Sequence, residues 1–173
     1  MRKHKGMRPQ DIAILLKIIA QDSLFWNHLT LAQELFLSQS EVSESLNRSA
    51  FARLIDQNKK KVYTSGLLDF LQYGIKYVFP VQPGSIIRGI PTAHSAKPLS
   101  DIIISSEVYV WPDEEGNTRG QAIEPLYGKA SQAVKKDVRF HELLALVDAL
   151  RVGRAREQAL ALEELTKRIK PKN

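Results

Sequence analysis

Residues 31–46 read LAQELFLSQSEVSESL, and this stretch decides how the first half of the chain folds. Leu31, Ala32 and Leu35 recur at helical spacing, so they share one face of a short helix. Ser38 follows a three-residue break, and Glu41 stands three residues later. Ser38-x-x-Glu41 is a capping box: the hydroxyl accepts from the backbone ahead and the carboxylate reaches back, so a second helix begins beside Ser38. Val42 and Leu46 are four apart and point back at the first helix. The spacing predicts two short helices packed across a tight turn, with the far face of the second left uncovered.

The flanks extend this unit. Residues 9–21 read as a helix, with Pro9 in its first turn, Asp11 complementing the helix dipole and Ile12, Leu15, Leu16 and Ile19 as an amphipathic stripe. The two helices of the opening stretch span residues 30–36, with Thr30 as the cap, and 39–53. Asp56, Gln57 and Asn58 form a turn, and residues 59–63 are short, basic and extended. Thr64 or Ser65 caps a further helix over residues 66–77, carrying Leu67, Leu68, Leu71 and Ile75. Residues 80–100 hold four prolines and two glycines and keep no period, which predicts a long loop. Residues 102–104 and 108–111 read as short strands, and residues 118–123 return as the second strand of a hairpin around Asp113, Glu114, Glu115 and Gly116. Helices are expected at 129–136, 140–152 and 154–169.

Composition limits the functional classes. The chain has 173 residues, 43% of them hydrophobic, enough for a true core. It contains no cysteine, which excludes disulfides and thiolate metal sites and suits a reducing, cytoplasmic setting. The longest apolar run, residues 12–16, is far too short to span a bilayer, and no signal-peptide pattern follows the basic start. Net charge is +6, and the basic residues gather at 2–8, 59–61 and 167–172, a balance that favours a polyanionic partner.

With the pattern Leu31-Ala32…Leu35…Leu37-Ser38…Val42-Ser43…Leu46, the opening stretch resembles the helix-turn-helix of bacterial winged-helix transcriptional regulators. The resemblance covers about half the chain and ends near residue 80. It implies binding of double-stranded DNA, with the helix from residue 39 entering the major groove and the basic segment at 59–63 serving as the wing. Ser38, Gln39, Ser40, Ser43, Glu44 and Asn47 would face the bases, where Gln and Asn pair with adenine and Glu44 accepts from a cytosine amino group. Arg48 on the flank and Lys59, Lys60 and Lys61 in the wing would contact phosphates, as would the basic arm at residues 2–8. The chain departs from the family where Phe36 and Arg53 stand in place of glycine, and where Glu41 and Glu44 put negative charge near the expected phosphates. Phe51 also falls on the outward side.

Other constellations carry less. His4, His28, His94 and His141 show no metal-ligand spacing. Residues 88–95, RGIPTAHS, mix an arginine, a histidine and two hydroxyls, but no GxSxG elbow accompanies them. Tyr109, Trp111, Arg119 and Tyr127 on the hairpin would line any pocket shared with the N-terminal unit.

The expectation is a mainly α (α+β) protein: a winged helix-turn-helix DNA-binding domain at 1–79, then a small α+β region at 80–173 with a β-hairpin and two C-terminal helices. The expected function is that of a cytoplasmic, non-enzymatic transcriptional regulator with no cofactor or metal, forming a homodimer on double-stranded DNA and having room for a small-molecule effector. The alternative is a protein-interaction module, an assembly factor or antitoxin-like partner built on the same winged helix. A third reading is an enzyme centred on Arg88, His94 and Arg119.

Overall fold

A computed structural model describes residues 6–21, 23 and 25–170. The protein is mixed α+β and mostly helical, with eight helices and one small sheet among the described residues. Helices α1 (Pro9–Gln21), α2 (His28–Leu35), α3 (Gln39–Phe51), α4 (Thr64–Tyr73) and α5 (Ile75–Val78) precede the strands β1 (Ile86–Pro91), β2 (Tyr109–Pro112) and β3 (Thr118–Ala122). Helices α6 (Ala130–Ala133), α7 (Val138–Val152) and α8 (Ala155–Ile169) complete the chain. No helix among the described residues is long and apolar enough to cross a membrane.

The first helix is more central than its predicted stripe implies. Every residue from Asp11 to Ile18 is buried, because α1 packs on α2, α3 and α7 at once. A helix covered on all sides needs apolar residues all round, and the run Ile12, Ala13, Ile14, Leu15 and Leu16 supplies them. Helix α7 is the second such rod, buried from Leu143 to Leu150. Helix α8 folds back on α7 and places Ala161, Leu165 and Ile169 in the same core, so its apolar stripe is covered within the chain. One hydrophobic cluster runs from Ile12 to Ile169.

The sheet corrects two expectations. The segment at 80–100 is not loop throughout, since β1 lies inside it. The strands β2 and β3 do not form a hairpin: they pair in parallel, Tyr109 with Gln121 and Val110 with Ala122. Strand β1 takes the antiparallel positions on both, with Ile90 opposite Trp111 and Ile87 opposite Gly120, so the three strands close on one another as a minimal barrel. So tight a closure requires bare backbone at its crossings. A Cβ on Gly89 would lie 1.9 Å from the Trp111 carbonyl oxygen, and one on Gly116 would lie 2.2 Å from that of Gly89. Residues 102–104, expected as a strand, belong to none; Ile102 and Ile104 are exposed beyond a single helical turn at Leu99–Asp101.

A buried carboxylate ties this barrel to α7. Asp148 accepts hydrogen bonds from Thr92 Oγ1 (2.7 Å), Trp111 Nε1 (2.7 Å) and Arg151 Nη1 (2.8 Å). Arg151 also donates to the Phe79 and Glu124 carbonyls, which fastens both ends of the barrel segment to the same helix. Burial pushes the Asp148 carboxyl above its ordinary range, against the pull of Arg151.

Candidate nucleic-acid interface

The helix-starting signal at Ser38 is realised in full. The Glu41 amide donates to Ser38 Oγ (3.1 Å), and the Ser38 amide donates back to Glu41 Oε2 (2.9 Å). That backbone bond from Ser38 holds the Glu41 carboxyl below its usual range. Helix α2 starts by the same device, with Asn27 as the cap and Thr30 as its partner three residues on; Thr30 itself is not the cap.

Both ends of the unit around α3 close through left-handed residues. After α2, Leu37 donates to the Ala32 carbonyl (3.0 Å) and Phe36 to that of Gln33 (3.3 Å), with Phe36 at φ 57°. After α3, Leu54 donates to Ser49 (2.9 Å) and Arg53 to Ala50 (3.0 Å), with Arg53 at φ 60°. Each is a Schellman closure, which favours glycine at the left-handed position. Phe36 and Arg53 are the two residues that stand where the resembled regulators carry glycine.

The outward face of α3 is open. Gln39, Ser40, Glu44 and Asn47 are exposed and Ser43 is half-buried, while Val42, Ser45, Leu46, Ser49 and Ala50 face the core. Arg48 belongs elsewhere. Its guanidinium grips Asp11 with two parallel bonds, Nε to Oδ2 at 2.8 Å and Nη2 to Oδ1 at 2.7 Å. Asp11 is fully buried at the start of α1, and the bond to it raises the Arg48 pKa. Arg48 thus braces α3 against α1, and its positive charge is matched inside the protein. Glu44 lies 3.9 Å from the same guanidinium.

The basic segment beside α3 is a tight turn between Ile55 and Val62, which form a single antiparallel bridge. Asp56 organises it by accepting from the amides of Lys60 (2.6 Å) and Lys61 (2.8 Å), and the Lys61 bond holds the Asp56 carboxyl low. Of the three lysines, Lys59 reaches Asn47 Oδ1 on α3. Lys60 lies over the Trp26 ring, 4.7 Å from its centroid, and donates to the Trp26 carbonyl (3.3 Å). Lys61 is exposed. Of the ten residues that the sequence nominates, Asn47 and Lys59 therefore meet beside α3, with Ser38, Gln39, Ser40, Ser43 and Glu44 along the helix, Arg48 turned inward, and Lys60 and Lys61 facing away from α3 beside Trp26. Of the basic arm at residues 2–8, residues 2–5 lie outside the described residues, and Arg8 donates its amide to Asp11 and is exposed.

The residues of the enzymatic reading are engaged separately. His94 is buried, with Nε2 2.7 Å from the Glu107 carbonyl oxygen and its ring edge-on to Tyr109. The Ser95 hydroxyl accepts the Tyr109 amide at 2.9 Å. Arg88 and Arg119 are exposed partners across β1 and β3. A groove of about 1080 Å³ opens between the α1–α2 side and the turn after β2, but Tyr109, Trp111, Arg119 and Tyr127, expected to line a pocket shared with the N-terminal unit, do not line it; Tyr109, Trp111 and Tyr127 are buried in the core. Lys17, buried in the wall of the groove, pairs with Asp137 (2.5 Å) and Glu34 (2.9 Å). Compared with protein-family models, curated proteins and solved structures, the chain matches none of them.

Proposed function

We propose that the protein binds double-stranded DNA as a transcriptional regulator, through a winged helix-turn-helix formed by residues 1–79, with α3 as the reading helix and the basic segment at 59–63 as the wing. The observation that carries this reading is the uncovered polar face of α3 with Lys59 bonded to Asn47 on it, on the same turn that carries Lys60 and Lys61. Gln39 and Asn47 carry the amides that can pair with adenine, Ser40 and Ser43 add hydroxyls, and Lys61 supplies charge for phosphate. The left-handed backbone at Phe36 and Arg53 supports the reading, since it is the conformation that glycine serves at those places. Glu41 fits because its charge is used in capping; Glu44 remains on the reading face as an acceptor for a cytosine amino group. Arg48 enters as the brace that seats the helix, with no phosphate to hold.

A fluorescence-anisotropy titration with labelled random duplex DNA at two salt concentrations tests the proposal. Wild type is expected to bind, and to bind more weakly at the higher salt. Lys59, Lys60 and Lys61 changed together to Ala are expected to weaken binding and flatten its salt dependence. Absence of binding at low salt would sink the reading. The interaction-module alternative draws on Phe36 and Phe51, 55% and 71% exposed at the two ends of α3, where a partner protein would find apolar anchors.

A further inference from the structure

Two of the three basic clusters, a hundred residues apart in the chain, meet in the fold. A groove of about 690 Å³ runs between the wing turn and the end of α8. Lys60, Lys61, Arg139, Lys167, Arg168 and Lys170 line it, and no acidic side chain does among the described residues. Trp26 forms part of its wall, under Lys60. Bases at the end of α8 alone would be ordinary, because the negative end of the helix dipole favours them. Their convergence on the wing lysines, with Arg139 from the first turn of α7, goes beyond what one helix end requires.

The charge there is only partly matched. Arg168 is held by Glu142 (3.2 Å) and Glu164, both outside the groove. Lys167 pairs within its own helix with Glu163 (2.9 Å), which is more than half exposed, and with Glu164 (3.0 Å), which Arg168 shares; the lysine itself is more than half exposed, so these are weak pairs that a phosphate can displace. Lys61 and Lys170 are exposed. The groove is lined by Lys60 and Lys61 of the same turn whose Lys59 bonds to Asn47 on α3, so this turn adjoins both surfaces.

We propose that this groove is a track for the DNA backbone flanking the segment read by α3, with Lys167 and Lys170 as its phosphate-binding residues. The inference rests on the DNA-binding reading above and extends the binding surface to the C-terminal helix. The test compares wild type, the wing triple variant and a Lys167→Ala, Lys170→Ala double variant, by anisotropy on a labelled duplex of about 30 base pairs over a series of salt concentrations and by hydroxyl-radical footprinting. Removing one lysine that neutralises a phosphate flattens the slope of log K against log salt by about 0.9, so the double variant is expected to flatten it by about 1.8. It is expected to lose protection on the flank while keeping protection beneath α3. A Lys167→Arg, Lys170→Arg variant is expected to restore both. Far-UV circular dichroism checks that each variant is folded. If the double variant keeps the wild-type slope and footprint while the wing variant loses affinity, the groove proposal fails and the DNA-binding reading stands. If wild type does not bind, both fall. Equal loss on a single strand of the same length overturns the assignment to duplex backbone.

Discussion

Each half of the molecule is organised around one buried aspartate held by an arginine, and the two sites are built differently. Asp11 sits at the start of α1 and accepts from the Arg8 amide (2.8 Å) and both prongs of the Arg48 fork. Its partners are its own helix end and one residue of α3. Asp148 sits within α7 and gathers a threonine after β1, a tryptophan on β2 and an arginine one turn along its own helix. The first site is a clamp between two helices, and the second is a hub for a whole region. The difference bears on function. The arginine of the clamp comes from the candidate reading helix, so in the N-terminal half one residue links stability to the orientation of the proposed binding face. In the C-terminal half the buried network is separate from the exposed basic groove.

The contrast between clamp and hub is most vulnerable at Asp148. Changing it to Ala leaves Thr92, Trp111 and a buried Arg151 charge without their acceptor, and removal of one partner from a buried ion pair costs about 3–5 kcal/mol. Urea denaturation is expected to show that loss, with Asp148→Asn milder because one carbonyl oxygen remains to accept. A loss below about 1 kcal/mol, the scale of a single ordinary hydrogen bond, would mean that the hub does not hold the barrel. Arg48→Lys probes the clamp with charge retained. An ammonium cannot reproduce the two-pronged grip on Asp11, so a loss of about 1–3 kcal/mol is expected in the same assay, with the salt dependence of DNA binding unchanged. Unchanged stability together with a salt slope flatter by about 0.9 would assign Arg48 to a phosphate instead.

Features decided by neighbours along the chain are legible in the sequence. The Ser38–Glu41 cap, the inward set Val42, Leu46 and Ser49, the start of α1 at Pro9 and the span of α8 all depend on residues within a few positions of one another. The Asn27–Thr30 box is equally local, but the apolar period begins at Leu31 and so points to Thr30 as the cap in place of Asn27. Features that depend on distant partners are not legible. Strand β1 lies in a segment rich in proline and glycine, and nothing local marks it, because its pairing is supplied by residues 109–122. A five-residue connection between β2 and β3 argues for a hairpin, and only the intrusion of β1 turns the pair parallel. At the candidate site, Lys59 reaches α3 as its short distance along the chain suggests, whereas the turn of Lys60 onto Trp26 depends on a residue 34 positions earlier and the inward turn of Arg48 on Asp11, 37 positions earlier. The meeting of residues 60 and 61 with residues 167–170 has no signature in sequence beyond three basic clusters of unstated geometry.

The smallest effect concerns strain, and there too the two halves differ. Of the described non-glycine residues with positive φ, Phe36, Arg53 and Lys59 surround α3, and Ala93 alone lies in the C-terminal half. A left-handed residue with a Cβ costs roughly 1–2 kcal/mol relative to its ordinary conformations. Arg53 is exposed at the position that closes α3, so Arg53→Gly removes that cost without taking packing from the core. The looser unfolded chain of a glycine returns about 0.4–1 kcal/mol of the gain. A net stabilisation of about 0.5 kcal/mol is therefore expected, read as a higher denaturant midpoint at unchanged slope. Ala93 has a comparable φ of 54° but is buried, so Ala93→Gly relieves the same strain while deleting a packed methyl, and its midpoint is expected to stay level or fall. Equal gains at both positions would show that the buried methyl of Ala93 contributes nothing. A loss at Arg53 would show that its side chain holds the end of α3 strongly enough to outweigh the backbone strain, and that arginine in place of glycine there is stabilising in its own right.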